Sequence, residues 1–142
     1  MGLLACTSGE TQIIHLTNSP SNITSPIVIT TLHGLYCPAG NFYIDPWRPV
    51  AQAVVTHAHA DHSRRGNQAY WCASPGKSIL HQRMGQGAMI HAVPYGEPFE
   101  LGDAQVSFHP AGHVLGSAQV RIQVNNQVWL VSGDYKRCDD PT

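Results

Sequence analysis

The chain has 142 residues, of which 42% are hydrophobic and 12% are charged. This length and composition suit one globular domain with a modest core and argue against intrinsic disorder. Eight lysines and arginines against nine aspartates and glutamates give a formal net charge of −1. The sequence therefore lacks the broad positive charge typical of duplex-DNA-binding proteins, although bound divalent cations would make a local cleft positive.

The four cysteines, Cys6, Cys37, Cys72 and Cys138, are widely spaced and form no C-x-x-C pair. This spacing indicates neither a disulfide framework nor a thiolate zinc site. A reducing compartment fits such a chain, so we expect it in the cytoplasm. No apolar run approaches the length of a membrane-spanning helix, and we expect no membrane partner.

Residues 1–26 are rich in Ser, Thr and Asn and contain Pro20 and Pro26, which predicts a weakly ordered leader before a domain at 27–142. A helix is predicted over 78–84, ended by Gly85, and Asn125-Asn126 indicates a hairpin turn. Short β-type runs predict strands at 27–32, 41–44, 53–56, 70–73, 89–92, 105–109, 119–124 and 127–132. Many strands and few helices favour an α/β layered sandwich.

The most informative segment, residues 57–62, reads His-Ala-His-Ala-Asp-His and follows an apolar, β-branched run. Imidazole nitrogen and carboxylate oxygen are usual zinc donors, and the lack of a thiolate favours a catalytic site with an open position. A His-rich surface loop or tag is the alternative. The irregular spacing, the aspartate and the preceding strand disfavour it.

Two further candidate ligands follow predicted strands. His113 lies between Gly112 and Gly116, and Asp134 follows Gly133. Taken alone, His113 is more often a hydrogen-bonded structural residue and Asp134 a turn cap. Beside the first cluster, both become candidate ligands.

The candidate ligands divide into two sets. We expect His57, His59 and His113 around one ion, Asp61 and His62 around a second, and Asp134 bridging the two. The second ion then lacks one ligand from this chain.

These segments resemble the metallo-β-lactamase superfamily. Within it, the chain is most similar to the β-CASP branch and to the bacterial ligase-associated DNA exonucleases, which are related to mRNA 3′-end processing exonucleases. The resemblance covers residues 27–142. Its supporting segments are GLYCPAGNFYIDPW at 34–47, THAHADH at 56–62, HPAGHVLGSAQV at 109–120 and SGDYK at 132–136.

The resemblance implies the β-rich amino-terminal half of an αββα sandwich and a phosphodiesterase with two Zn²⁺ ions, or Mn²⁺ in their place. It implies that Asp61 also orients the nucleophile, that DNA is favoured over RNA, and that a DNA ligase or helicase is a partner. Family members continue into a β-CASP insertion and a final His ligand beyond the last segment matched here. We therefore expect the chain to be the amino-terminal part of such an enzyme.

Four basic residues adjoin the ligand segments and are candidates for phosphate contacts: Arg64, Arg65, Lys136 and Arg137. A solvated charged rim explains them equally well. Two other functions stay open, a zinc hydrolase of small esters, thioesters or lactams and an inactive zinc-binding fragment, because fold alone does not choose the substrate.

Overall fold

A computed structural model of the protein describes residues 8–9, 11–16 and 25–137. Its one α-helix, α1 (Lys77–Met84), follows a 3₁₀ turn at Ser74–Gly76 within these residues. The strands are β1 (Ser8–Gly9), β2 (Ile13–Leu16), β3 (Ile29–Thr31), β4 (Gly34–Cys37), β5 (Phe42–Ile44), β6 (Gln52–Val54), β7 (Ala69–Ala73), β8 (Ile90–Val93), β9 (Phe99–Leu101), β10 (Ala104–Pro110), β11 (Ala118–Val124), β12 (Gln127–Val131) and β13 (Tyr135–Lys136).

Two larger sheets organise the strands. The first has the order β3-β4-β5-β6-β7-β8, and its pairs from β5 to β8 are parallel. The second is antiparallel, with the order β2-β12-β11-β10-β9. Strands β1 and β13 pair separately. Because β5 and β6 are parallel neighbours, the residues that follow them emerge at the same edge of the sheet.

The main core lies between the two sheets. Phe42 and Ile44 from the first sheet belong to one buried cluster with Phe108, Val120 and Ile122 from the second. On β5 and β11 these apolar residues alternate with more exposed ones, so one face of each of these strands contributes to this core.

A second, smaller cluster lies on the other face of the six-stranded sheet, where Leu80 of α1 packs with Val55, Tyr70 and Cys72. The layers are therefore helix, sheet and sheet, with no helix over the outer face of the five-stranded sheet in the described ranges. This arrangement is a β-rich half of an αββα sandwich. The predicted fold class is confirmed.

Most predicted elements are present, with shifted ends. The helix begins at Lys77 and ends before Gly85, whose φ is +97°. The predicted hairpin is confirmed, because Asn125 has a φ of +52° and Val124 pairs with Gln127. Strands β1, β2, β4, β9 and β13 were not predicted, and the last three are each short and close to Gly or Pro. Of the strand predicted at 27–32, only β3 is present, since the residues before β3 turn into the core.

Part of the predicted leader is a strand. Strand β2 pairs antiparallel with β12 from Ile13↔Val131 to Leu16↔Val128. Composition did not reveal it because the strand depends on an edge more than a hundred residues away. Residues 1–7, 10 and 17–24 of the predicted leader lie outside the described residues. The domain boundary near residue 27 stays a prediction.

The described cysteines, Cys37 and Cys72, are buried and free, while Cys6 and Cys138 lie outside the described residues. Burial raises the pKa of the Cys37 thiol and raises that of Cys72 to about 11, against a smaller lowering by Lys77. Neither thiol is therefore disposed to act as a thiolate at neutral pH. Across the described ranges, no helix has the length and apolar character needed to cross a bilayer.

Replacing Gly116 with Ala should destabilise the protein by about 2–4 kcal/mol, from left-handed backbone strain and overpacking. Gly116 has a φ of +78°, and a Cβ there would overlap the backbone of Gly76. Gly87→Ala is the matched control, because a Cβ at Gly87 would meet nothing within 4 Å. Urea unfolding measures both, and equal midpoints would show that the Gly76–Gly116 contact tolerates a methyl group.

Candidate metal centre

The histidine cluster lies in a turn beyond the end of β6. The Val55 N–H donates to the Trp71 carbonyl at 2.8 Å, which holds the chain against β7 as it leaves the sheet. The turn is closed at the His59 carbonyl, which accepts from the N–H of His62 at 3.1 Å and of Ser63 at 2.8 Å. This compact turn brings side chains of residues 57–62 to the same place.

The first set of donors comprises His57, His59, His113 and Asp134. One ligand atom from each lies within 4.8 Å of the others. Nδ1 of His59 is 3.0 Å from Nε2 of His57 and 3.3 Å from Nε2 of His113. Oδ2 of Asp134 is 3.8 Å from Nε2 of His57 and 3.7 Å from Nε2 of His113. The structure thus gathers four predicted ligands from three separate segments.

The second set of donors comprises Asp61, His62 and the other oxygen of Asp134. Nε2 of His62 is 3.6 Å from Oδ2 of Asp61 and 3.5 Å from Oδ1 of Asp134. The two oxygens of Asp134 therefore face different donor sets. This is the arrangement that a bridging carboxylate requires.

Loops after β10 and β12 deliver the two distant donors. The hydroxyl of Ser117 accepts hydrogen bonds from the N–H groups of His113 and Val114, at 3.1 and 3.2 Å, and so fixes the His113 loop. The Ala118 N–H donates to the Thr56 carbonyl at 2.8 Å, which ties that loop to the histidine turn. Before Asp134, Gly133 has a φ of +58° and lies so close to Thr56 that a Cβ would approach its side chain at 2.8 Å.

Asp45 is a part of the site that sequence reasoning did not assign. Its Oδ1 accepts from the Thr56 N–H at 2.8 Å, and its Oδ2 accepts from the Thr56 hydroxyl at 2.6 Å. Nδ1 of His62 donates to the same Oδ2 at 2.7 Å. The Thr56 hydroxyl, having donated to Asp45, accepts from Nδ1 of His57 at 3.1 Å. These bonds leave Nε2 of both imidazoles free to face the donor sets.

A usable signal for Asp45 was present in the sequence. Asp45 follows an apolar strand, as the histidine turn follows β6, and the ends of parallel strands meet at one edge. What the sequence did not show was that β5 and β6 are parallel neighbours.

The electrostatic environment keeps His57 neutral. Burial, followed by the charges of His62, His59 and His113, lowers the pKa of His57 to about 3. A neutral imidazole with a lone pair directed at the cluster is the form that coordinates a metal.

The pKa values of His62 and Asp61 shift in opposite directions. Burial lowers the pKa of His62, but the hydrogen bond and charge of Asp45, with Asp134 and Asp61, raise it above its ordinary value overall. Burial is the largest single influence on the pKa of Asp61 and raises it, but its backbone hydrogen bond and the nearby imidazoles together lower the pKa below its ordinary value. Asp61 is therefore ionised at neutral pH.

The first donor set fits a divalent metal ion. A tetrahedral ion with bonds of about 2.0–2.1 Å needs donor atoms about 3.3 Å apart, close to the 3.0 and 3.3 Å that separate Nδ1 of His59 from the other two imidazole nitrogens. Three imidazoles and one carboxylate are also the donor types that such ions take in proteins. The cluster can therefore bind a metal ion.

The four predicted phosphate-contact residues differ in their surroundings. Arg64 is exposed and lines a cleft with Asp61 and His62. Nε of Arg65 donates to the Arg83 carbonyl at 2.7 Å, so this guanidinium already has a structural contact. Lys136 is half-buried, with its N–H donating to the Ala111 carbonyl at 2.9 Å, and Arg137 is exposed at the end of the described chain.

The chain is similar to two curated nucleic-acid enzymes. It is 32% identical over 106 residues to a protein of Opitutus terrae named as a probable DNA ligase, covering 73% of this chain. It is 35% identical over 52 residues to endoribonuclease ysh-1 of Neurospora crassa, covering 37% of this chain. The chain is related to the metallo-β-lactamase superfamily and its β-CASP branch.

These relatives are much longer than the region they share with this chain. The matched region spans 10% of the ligase and 6% of the endoribonuclease. Among solved structures, a subclass B3 metallo-β-lactamase of Bradyrhizobium japonicum aligns at 18% identity and a TM-score of 0.39, covering 61% of this chain and 39% of that one. No protein-family model matches the sequence.

Replacing His59 with Ala should reduce bound zinc and lower thermal stability, because His59 supplies one atom of the first donor set and a metal that binds only the folded state stabilises it. His33→Ala is the matched control, since its ring packs against Tyr43 and not in the cluster. Elemental analysis and thermal unfolding with and without EDTA measure both effects. Equal zinc loss in the two variants would contradict the ligand assignment.

Asp45→Asn should lower zinc affinity about 10–100-fold without removing a ligand. An amide in place of Oδ2 would point N–H groups at two donors, Thr56 Oγ1 and His62 Nδ1, and so disturb the orientation of the imidazoles. Asp103→Asn, at an exposed turn, is the control. Competition with a chromogenic chelator measures affinity, and indistinguishable values for the two variants would exclude this role of Asp45.

Proposed function

We propose that the protein is a zinc-dependent phosphodiesterase that degrades DNA as an exonuclease associated with ligase and repair. The observation that carries the proposal is the pair of donor sets joined by Asp134, whose Oδ2 faces His57 and His113 and whose Oδ1 faces His62. Enzymes that catalyse displacement at phosphorus commonly bind two neighbouring cations. The named activities of the two curated relatives support a nucleic acid as substrate.

The proposal assigns roles to the side chains of both sets. His57, His59 and His113 would hold one Zn²⁺, with Asp61 and His62 at a second and Asp134 between them; Mn²⁺ is an alternative occupant. When bound, these cations would supply Lewis-acid stabilisation of charge developing on phosphate oxygens. The structure does not assign a general acid to the leaving oxygen.

The chain's own residues prepare the site for that chemistry. Asp45 holds His62 and, through Thr56, His57 in the tautomers that direct Nε2 inward. Asp61 is ionised and its side chain is 76% exposed, so it can accept a hydrogen bond from an attacking water and orient it. Arg64, on the same cleft, can bind a backbone phosphate.

The wider setting follows from the same proposal. A DNA ligase or helicase would be the partner and the cytoplasm the compartment, and DNA is preferred over RNA as substrate. If the chain is the amino-terminal part of such an enzyme, further segments would complete the second donor set.

The purified chain, and a version extended into any downstream reading frame, should be compared on end-labelled single- and double-stranded DNA with zinc or manganese. Zinc-dependent loss of terminal nucleotides is expected from the extended version, with little or none from the shorter chain, because a missing ligand and general acid each cost on the order of a hundredfold or more. RNA, thioester and lactam substrates are the comparison set. In the extended version, hydrolysis confined to thioesters or lactams would overturn the proposal, and so would metal binding without hydrolysis of any substrate.

Arg64→Ala should weaken binding to single-stranded DNA. It should also reduce the slope of log affinity against log salt by about 0.7, the change expected when one phosphate contact is lost. Arg65→Ala should leave that slope unchanged, because its guanidinium bonds the Arg83 carbonyl. Fluorescence anisotropy over a salt series, without metal to prevent cleavage, measures both. Parallel salt slopes for wild type and Arg64→Ala would remove this residue from the phosphate contacts.

A further inference from the structure

A cleft of about 480 Å³ opens beside the second donor set. This volume falls within the roughly 300–1,000 Å³ typical of small-molecule sites. The cleft is lined by Thr11, Ile13, Leu35, Ile44, Asp45, Trp47, Asp61, His62 and Arg64. It therefore combines an apolar wall with groups of the candidate metal centre.

The apolar part of the cleft contains an exposed indole. The Trp47 side chain is 53% exposed although its backbone N–H is anchored to the His33 carbonyl at 2.8 Å. No aromatic ring contact involves Trp47 in the part of the chain that the structure describes. Leu35 and Ile44, cross-strand partners on β4 and β5, line the cleft beside it. The backbone of Trp47 is thus fixed while a large part of the residue stays exposed.

Another part of the cleft lining comes from residues 11–13, at the start of β2. Ile13 is 41% exposed and lines the cleft. This segment is held in place because the Gln12 N–H donates to the Ser132 hydroxyl at 2.7 Å and the Ser132 N–H donates to the Gln12 carbonyl at 2.8 Å. The anchor is two residues before Asp134, so the apolar wall and the donor sets are fixed to the same strand end.

The cleft also has a polar lining. Asp61 and His62 of the second donor set line it, and Arg64 adds a guanidinium. This combination of lining groups matches one nucleotide. The base would lie against the apolar and aromatic residues, and the phosphate would lie against the cation-binding groups and the arginine. Aromatic side chains stack on every base, because each base has a π-face.

We propose that this cleft binds the nucleobase next to the phosphodiester under attack, with Trp47 as the stacking residue. The inference rests on the proposed phosphodiesterase function for the position of the phosphate. Stacking on an indole gives affinity without reading the base edge, so recognition here depends little on base identity. Trp47 is then a substrate-positioning residue of the reaction.

Binding is tested first by fluorescence of the whole chain treated with EDTA, so that no cleavage or metal is needed. Deoxyadenosine 5′-monophosphate should quench tryptophan emission saturably, whereas deoxyribose 5-phosphate should not. Trp47→Phe should abolish most of this quenching. Trp129→Phe, which removes an indole packed against the main core, should retain it. Quenching that survives in Trp47→Phe, or that is matched by deoxyribose 5-phosphate, overturns the inference.

Kinetics of the extended version provide the second test, with zinc present. Trp47→Ala should raise KM for single-stranded DNA about 5- to 100-fold, the range for loss of one stacked base, while Trp47→Phe restores most of the affinity. On a strand whose terminal nucleotide is abasic, wild type and Trp47→Ala should have the same KM. An equal loss on intact and abasic strands would assign Trp47 a merely structural role.

The two tests separate the inference from the function on which it rests. Trp47-dependent quenching without hydrolysis of any nucleic acid would retain a nucleotide-binding cleft and reject the phosphodiesterase. Hydrolysis of DNA that is indifferent to Trp47, with no base-dependent quenching, would retain the phosphodiesterase and reject the stacking site.

Discussion

The site depends on the hydrogen bonds that converge on the carboxylate of Asp45. One oxygen accepts from the Thr56 N–H, and the other accepts from the Thr56 hydroxyl and His62 Nδ1. These bonds join the ends of two neighbouring parallel strands and at the same time select the tautomers of two imidazoles. A carboxylate that is itself outside both donor sets thereby decides where their nitrogens point.

The sandwich brings the remaining donors to this edge. His113 follows a strand of the five-stranded sheet and Asp134 lies beyond another, while the histidine turn follows the six-stranded sheet. The buried core between the sheets therefore sets the distance across which the donors meet. Positive-φ glycines before His113 and Asp134 allow the loops to turn sharply, and Gly133 permits a backbone approach to Thr56 that a larger residue would block.

Crowding the imidazoles together has an electrostatic cost that the carboxylates only partly offset. His57 is buried among three other histidines and is driven neutral, whereas His62 gains a proton more readily because Asp45, Asp134 and Asp61 surround it. The neutral state of His57 leaves a lone pair pointing at the cluster. A bound cation would replace mutual repulsion among the ring nitrogens by coordination, which is why metal binding and folding are coupled at such a site.

The sequence by itself determined the donor types, the strand before the histidine turn and the β-rich sandwich, because dense His and Asp residues at strand ends carry a chemical signal that is local. Only the tertiary structure decided that Asp45 orients His62, that Ile13–Leu16 completes a sheet, and that Trp47 shares a cleft with Asp61. Each depends on which strands become neighbours. That choice is made by burial across long sequence separations, and no local pattern records it.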